Sequence, residues 1–119
     1  MARGLSGVHP EIRDNIKYGL IAFPCQITAS AASGIAYTLP YKMNIVDVIV
    51  RSTATVTNAT ARVSDGTNNI TNAIIAATVD ANTRATTIDT SYSTVQSIKI
   101  TTASAADRAI VYIVGYPEI

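Results

Sequence analysis

The chain has little of what an active site is built from. Its 119 residues include no tryptophan, one phenylalanine, one histidine and one cysteine. Each scarcity excludes something. Cys25 has no second cysteine to pair with, so no intrachain disulfide forms, and its setting beside Phe23, Pro24 and Ile27 reads as a small buried thiol. No basic neighbour in sequence lowers its pKa and makes it a nucleophile. Such cysteine usage suits a reducing compartment. His9 stands alone, which leaves a catalytic triad or a histidine-based metal site without members. The serines lack a G-x-S-x-G elbow, and the glycines form no phosphate-cradling loop. Charge is scarce as well. Charged residues make up 14% of the chain, against about 25% in ordinary globular domains. The net charge is +1 with no long block of one sign, which speaks against non-specific nucleic-acid binding. The uncharged stretch from Tyr18 to Tyr41 is interrupted by Pro24, Gln26, Gly34 and Pro40, so it does not supply the roughly 20 apolar residues of a membrane helix. Ala29-Ser30-Ala31 faintly resembles a signal-peptidase site, but Glu11 and Asp14 precede it and the apolar run before it is short and holds a proline. A cleaved signal is not expected. The expectations are therefore no enzyme, no cofactor, no metal, and no nucleic-acid, membrane or small-molecule partner.

What is present is aliphatic and small. Hydrophobic residues make up 48% of the chain, and alanine, threonine and serine fill much of the rest. A chain of this length forms one domain, or one domain and an arm. It buries roughly two-thirds of its unfolded surface, enough for a core without metals or disulfides. A small soluble monomer normally covers itself with more charge. Interface centres are depleted in charge, so much of this surface is expected to lie against other subunits.

The organising stretch is Asn44 to Val56. Val46, Val48, Val50, Ala54 and Val56 fall on one face at period two, with Asp47, Arg51, Thr53 and Thr55 on the other. That is the pattern of a half-buried strand. Ile45 and Ile49 interrupt the polar face, which predicts a second covering layer or a partner chain over that end. Tyr18 to Thr28 reads as a first strand confined to a sheet edge, or bulged, by Pro24. Ile35 to Leu39 reads as a short strand closed by Pro40. Thr60 to Ser64 and Thr67 to Thr71 flank Asp65-Gly66, the signal of a two-residue type I′ hairpin. Asn72 to Thr78 fits one or two turns of helix, since Ile70, Ala73, Ile74 and Ala77 share a helical face. Val79 to Asn82 is turn-like and Thr83 to Asp89 a threonine-rich strand. Val95 to Thr102 alternates with Ile98 and Ile100 inward, and Ala103 to Asp107 is a turn. Arg108 to Tyr116 is apolar on both faces, which predicts burial on both sides. The total is about eight antiparallel strands at turn spacings of roughly 8–12 residues, the pattern of a β-sandwich or jelly roll.

The carboxylates are Glu11, Asp14, Asp47, Asp65, Asp80, Asp89, Asp107 and Glu118, and most of them sit in or beside turns, where aspartate bonds its own backbone. Residues 1–17 differ from the 18–119 domain. They hold Arg3, His9, Arg13 and Lys17, and Ile12 and Ile16 at helical spacing after Pro10. From composition this segment reads as an N-terminal arm that docks on a neighbour, with Arg3, His9, Ile12, Arg13, Ile16 and Lys17 as its contact residues.

Several runs carry a resemblance. They are Val-Ile-Val at 48–50, Ala-Thr-Val at 54–56, Val-Ser-Asp-Gly-Thr-Asn-Asn-Ile-Thr-Asn-Ala-Ile at 63–74, Thr-Arg-Ala-Thr-Thr-Ile-Asp at 83–89, and the aliphatic strand that ends the chain. Over about the last two-thirds of its length the chain resembles the small head decoration, or cement, proteins of tailed bacteriophages. These motifs are structural rather than catalytic, and other virion fibre and tail modules share their texture. The resemblance implies a jelly roll or β-sandwich, clustered as a homo-oligomer (dimer or trimer), made in the host cytoplasm and mounted on the outer capsid surface. There it would bridge neighbouring subunits of the major capsid protein, with residues 1–17 in the place of the terminal arm. The alternative is a carbohydrate- or receptor-binding virion fibre or tail module, which would need clustered exposed aromatics; here six tyrosines are scattered along the chain.

Overall fold

A computed structural model describes residues 20–53 and 59–118. The described chain is all-β. Its strands are β1 (Ile21–Ile27), β2 (Ile35–Ser52), β3 (Ala59–Ser64), β4 (Ile74–Ala76), β5 (Asn82–Arg84), β6 (Thr94–Thr102) and β7 (Ala109–Pro117). They form one antiparallel sheet of order β1-β7-β2-β6-β3-β4, with β5 paired to β2 off that path. The sheet curls into a half-barrel around a single core. Seven strands thus stand among the described residues, where the sequence suggests about eight.

The curl comes from β2. The sequence suggests two strands separated by Pro40, yet the chain runs on through it for 18 residues. The interruption falls in the ladder instead. Pairing with β6 slips between Thr38 and Met43, around the proline that has no N–H to donate. The first half of β2 pairs with β6 (Ile35↔Ile100) and the second half with β7 (Ser52↔Ala109). One bent strand therefore serves two wings, β1-β7-β2-β5 and β2-β6-β3-β4.

A second irregularity sits where the wings meet. Ile45 pairs with Gly115 and Asp47 with Val114, so Val46 is the extra residue of a β-bulge and is 39% exposed. Burial switches parity across it. Met43 and Ile45 are buried before the bulge, and Val48, Val50 and Ser52 after it. The expected face of Val46, Val48 and Val50 is corrected at its first member, because one inserted residue flips every side chain beyond it. Ala54 and Val56 lie outside the described residues. Gly115 faces the bulge. A Cβ there would collide with the Asn44 carbonyl and lie 3.0 Å from the Ile45 Cα, so two backbones approach where only glycine fits.

Inward residues of both wings share one core, with Ile27, Leu39, Met43, Ile45, Ile74, Ile98, Ile100 and Ile113 among its largest members. Ile98 and Ile100 point inward as the alternation predicts. Cys25 is buried as expected, 2% exposed, and burial pushes its thiol up to about 11. β1 is an edge strand, as Pro24 requires. Its pairing with β7 passes through Pro24↔Tyr112 without a shift, so the nitrogen that cannot donate is turned to the free side. By the alternation of an antiparallel ladder Gln26 turns its groups the same way, and its carbonyl accepts the Tyr37 hydroxyl at 2.7 Å.

The connections depart furthest from the sequence pattern. The Asp65-Gly66 turn is a four-residue loop. Ser64 bridges Asn69 and Asp65 N donates to Asn68 O at 3.0 Å. Val63 is therefore matched with Ile70 rather than with Asn68. Gly66 has a φ of 102°, whereas Asp65 is not at positive φ, which rules out type I′. The Asp65 carboxylate decides this by accepting from Thr67 N at 2.8 Å and Asn68 N at 2.6 Å. Those backbone donors hold its pKa below the ordinary carboxylate value. Residues 72–78 are not helical; they contain the three-residue strand β4. The expected strand 83–89 shrinks to β5, followed by an isolated bridge between Thr71 and Ile88. That segment is held by Asn72, whose Oδ1 accepts from Thr86 N at 2.9 Å and Thr87 N at 3.3 Å.

Candidate functional site

The contact residues suggested by the sequence, Arg3, His9, Ile12, Arg13, Ile16 and Lys17, all lie outside the described residues. The described domain has its own candidate, built from the outward side chains of the β1-β7-β2-β5 wing. Alternation on β7 buries Ala109, Val111, Ile113 and Gly115 and turns Ile110, Tyr112 and Val114 outward, each half-buried. Strand register aligns these with their neighbours. One row runs Pro24, Tyr112, Ile49, Arg84. The row on one side runs Ala22, Val114, Asp47, and the row on the other side runs Gln26, Ile110, Arg51, Asn82. Ile49, Ile110, Tyr112 and Val114 do not belong to the group packed against the core. They form an apolar cross on the outside of the sheet, with Tyr112 at its centre.

Polar groups ring one side of this cross. Asp47 accepts from Arg84, with Nε at 2.8 Å and Nη2 closer still, and its other oxygen accepts from Val48 N at 2.9 Å. Arg51 Nη2 lies 3.3 Å from the Asp80 carboxylate, in the β4–β5 turn where Asp80 takes a φ of 63°. These pairs clip β5 and its turn onto β2. As exposed pairs they are worth no more than about 1 kcal/mol each, so their use is to set a rim of balanced sign.

The opposite wing has a different skin. Its outward positions are Ala36 and Thr38 on β2, Ser97, Lys99 and Thr101 on β6, Thr60, Arg62 and Ser64 on β3, and the exposed Ile75 on β4. Hydroxyls and two cations dominate there. A shallow groove of about 160 Å³ on this side is lined by Thr60, Arg62, Ala73 and Thr101 to Ala103. A second, open depression of about 300 Å³ lies between residues 69–72 and 87–89. Arg62 is the one charged group lining the first and Asp89 the one lining the second, and neither depression pairs an acid with a base.

The sequence held a signal for the apolar cross. Ile49 breaks the polar face of its strand, and residues 108–116 are apolar on both faces. That pattern predicts burial on both sides, and the outward members stand half-buried. What the pattern could not give was the register that gathers them around Tyr112. No family model and no curated protein matches the chain.

Proposed function

We propose that the protein is a structural virion component, a decoration or cement protein that bridges neighbouring major capsid subunits on the outer surface of a phage head. One observation carries it: the outer skin of one wing is an apolar cross edged on its β5 side by two ion pairs, while the other wing carries mostly hydroxyls, two cations and Ile75. An apolar centre within a polar rim is the anatomy of a protein interface. The edges favour faces over added strands. β1 is blunted by Pro24 and by the Tyr37 hydroxyl on Gln26, and β4 and β5 are three residues each. The curled sheet is read as a β-sandwich of the jelly-roll kind, its two wings stacked across the core.

Cementing by such a protein is additive. Each copy covers a small patch on the shell, and clustered copies convert weak single contacts into a firm grip. Residues 1–17 are the arm that reaches the shell, through Ile12 and Ile16 and the cations Arg3, Arg13 and Lys17. The test removes residues 1–17 and adds the truncated protein to undecorated capsids. The truncated domain keeps its cooperative unfolding, and its half-saturation concentration on capsids rises at least about tenfold, the equivalent of losing 1.4 kcal/mol per site. Equal saturation by both proteins would remove the arm from the proposal. A clear, saturable glycan ligand bound in the absence of any capsid would favour a host-attachment module instead.

A further inference from the structure

From the register of the β1-β7-β2-β5 wing we infer that the apolar cross centred on Tyr112 is the surface through which two copies of this chain pair, face to face and about a two-fold axis. This deepens the proposed role, which needs copies to cluster, and its primary readout is self-association in free solution, so that the two can fail separately.

The first reason is the rim. A two-fold contact uses the same patch on both partners, so the patch must complement itself. Here the rim's charges are paired within the chain, Asp47 with Arg84 and Asp80 with Arg51, so the rim is neutral and meets its own copy without net repulsion. A second copy brings the same balance, whereas a strongly charged partner would find half of the rim repulsive. The second reason is shape. The patch is the outside of a sheet flanked by blunt edges, and the natural partner of a sheet face is another sheet at a distance of about 10 Å, with strands turned by roughly 30°. The third is size. Three strands at about 4.8 Å and five residues at about 3.3 Å give a patch roughly 15 Å on each side. That is about 225 Å² per copy, well below the ~800 Å² per partner of a standard specific interface, so the contact is weak, transient and concentration-dependent in free solution.

Tyr112 sits at the middle of the cross, which places it near its own symmetry mate. The native Cys25 is 2% exposed, so an introduced thiol is the reactive one. Full-length Tyr112→Cys, treated with a bismaleimide that reaches across the ~10 Å between packed sheets, yields covalent dimer. Thr101→Cys, on the hydroxyl-rich wing, yields at least tenfold less. In sedimentation velocity Tyr112→Lys raises the dimer dissociation constant at least tenfold, and its Cys25 remains unreactive, which shows that the domain is still folded. Equal cross-linking from the two positions overturns the inference, and so does a Tyr112→Lys protein that associates like the parent. A parent that stays monomeric throughout, while Tyr112→Lys loses only capsid attachment, assigns the face to the shell and also overturns it.

Discussion

Cys25 and Asp107 show how buried polar chemistry works here without a site. Burial pushes the Cys25 thiol from 9.0 to about 11, and Tyr37 rises too, through its own burial and the nearby thiol. Both groups hold protons in the folded state that the unfolded chain has already released. Their contribution is therefore complete below the unfolded values and is lost as pH rises through the folded ones. Urea unfolding at pH values on either side of 9.0 will show stability falling on the alkaline side, and Cys25→Ala will flatten that slope. Asp107 is 3% exposed, and its Oδ2 accepts from Thr60 N at 3.3 Å and Ser104 N at 3.2 Å. It ties the β6–β7 turn to the start of β3. Asp107→Ala strands both donors and costs about 1–3 kcal/mol in equilibrium denaturation; Asp107→Asn, which keeps an acceptor, costs less. The sequence placed Asp107 in a turn by residue type alone. It did not show that the carboxylate reaches back 47 residues in sequence to a strand, because such a partner is set by topology.

The bent strand β2 organises the fold, and Gly115 is its counterpart on β7. Gly115→Ala would drive a methyl group into the Asn44 backbone beside the bulge, and backbone cannot yield as a flexible side chain does. Overpacking of this kind costs about 1–3 kcal/mol. The midpoint of chemical denaturation will fall accordingly, and an unchanged midpoint would mean that the wings do not meet there. Period-two alternation made the strands legible, since Ile98 and Ile100, and Val48 and Val50, follow it directly. The bulge at Val46 was only half legible: Ile45 on the polar face is its trace in the spacing, which reads equally as a covering layer, and only the partner's register shows that Ile45 turns into the core across an inserted residue. The hairpin at Asp65-Gly66 was misread for a local reason. The dipeptide favours type I′, but the Asp65 carboxylate captures the amides of Thr67 and Asn68 and opens a longer loop. Residues 72–78 carry a helical spacing of apolar groups, yet Ile74 and Ala76 are buried as strand neighbours of Ala61 and Ala59. Tertiary pairing outweighs a pattern that short.

The whole chain pairs low charge with two unlike skins. Among the described residues the core is mainly aliphatic, with Cys25 and Met43 in it and Phe23 and Tyr37 packed against it, and the outward Ile49, Ile110, Tyr112 and Val114 stand outside that cluster, as groups that meet a neighbour would. The proposed arm, residues 1–17, holds its cations and its Ile12–Ile16 pair apart from the sheet in sequence. The proposed role asks for the same division: a stable body, a face for a neighbour, and a tether for the shell. The most direct measurement is electron cryo-microscopy of phage particles that contain this chain. The expected map shows clustered copies on the outside of the head, each cluster spanning neighbouring capsid subunits, with Tyr112 at a copy-to-copy contact. A map with the chain inside the shell, or as isolated single copies that bridge nothing, would contradict the proposal.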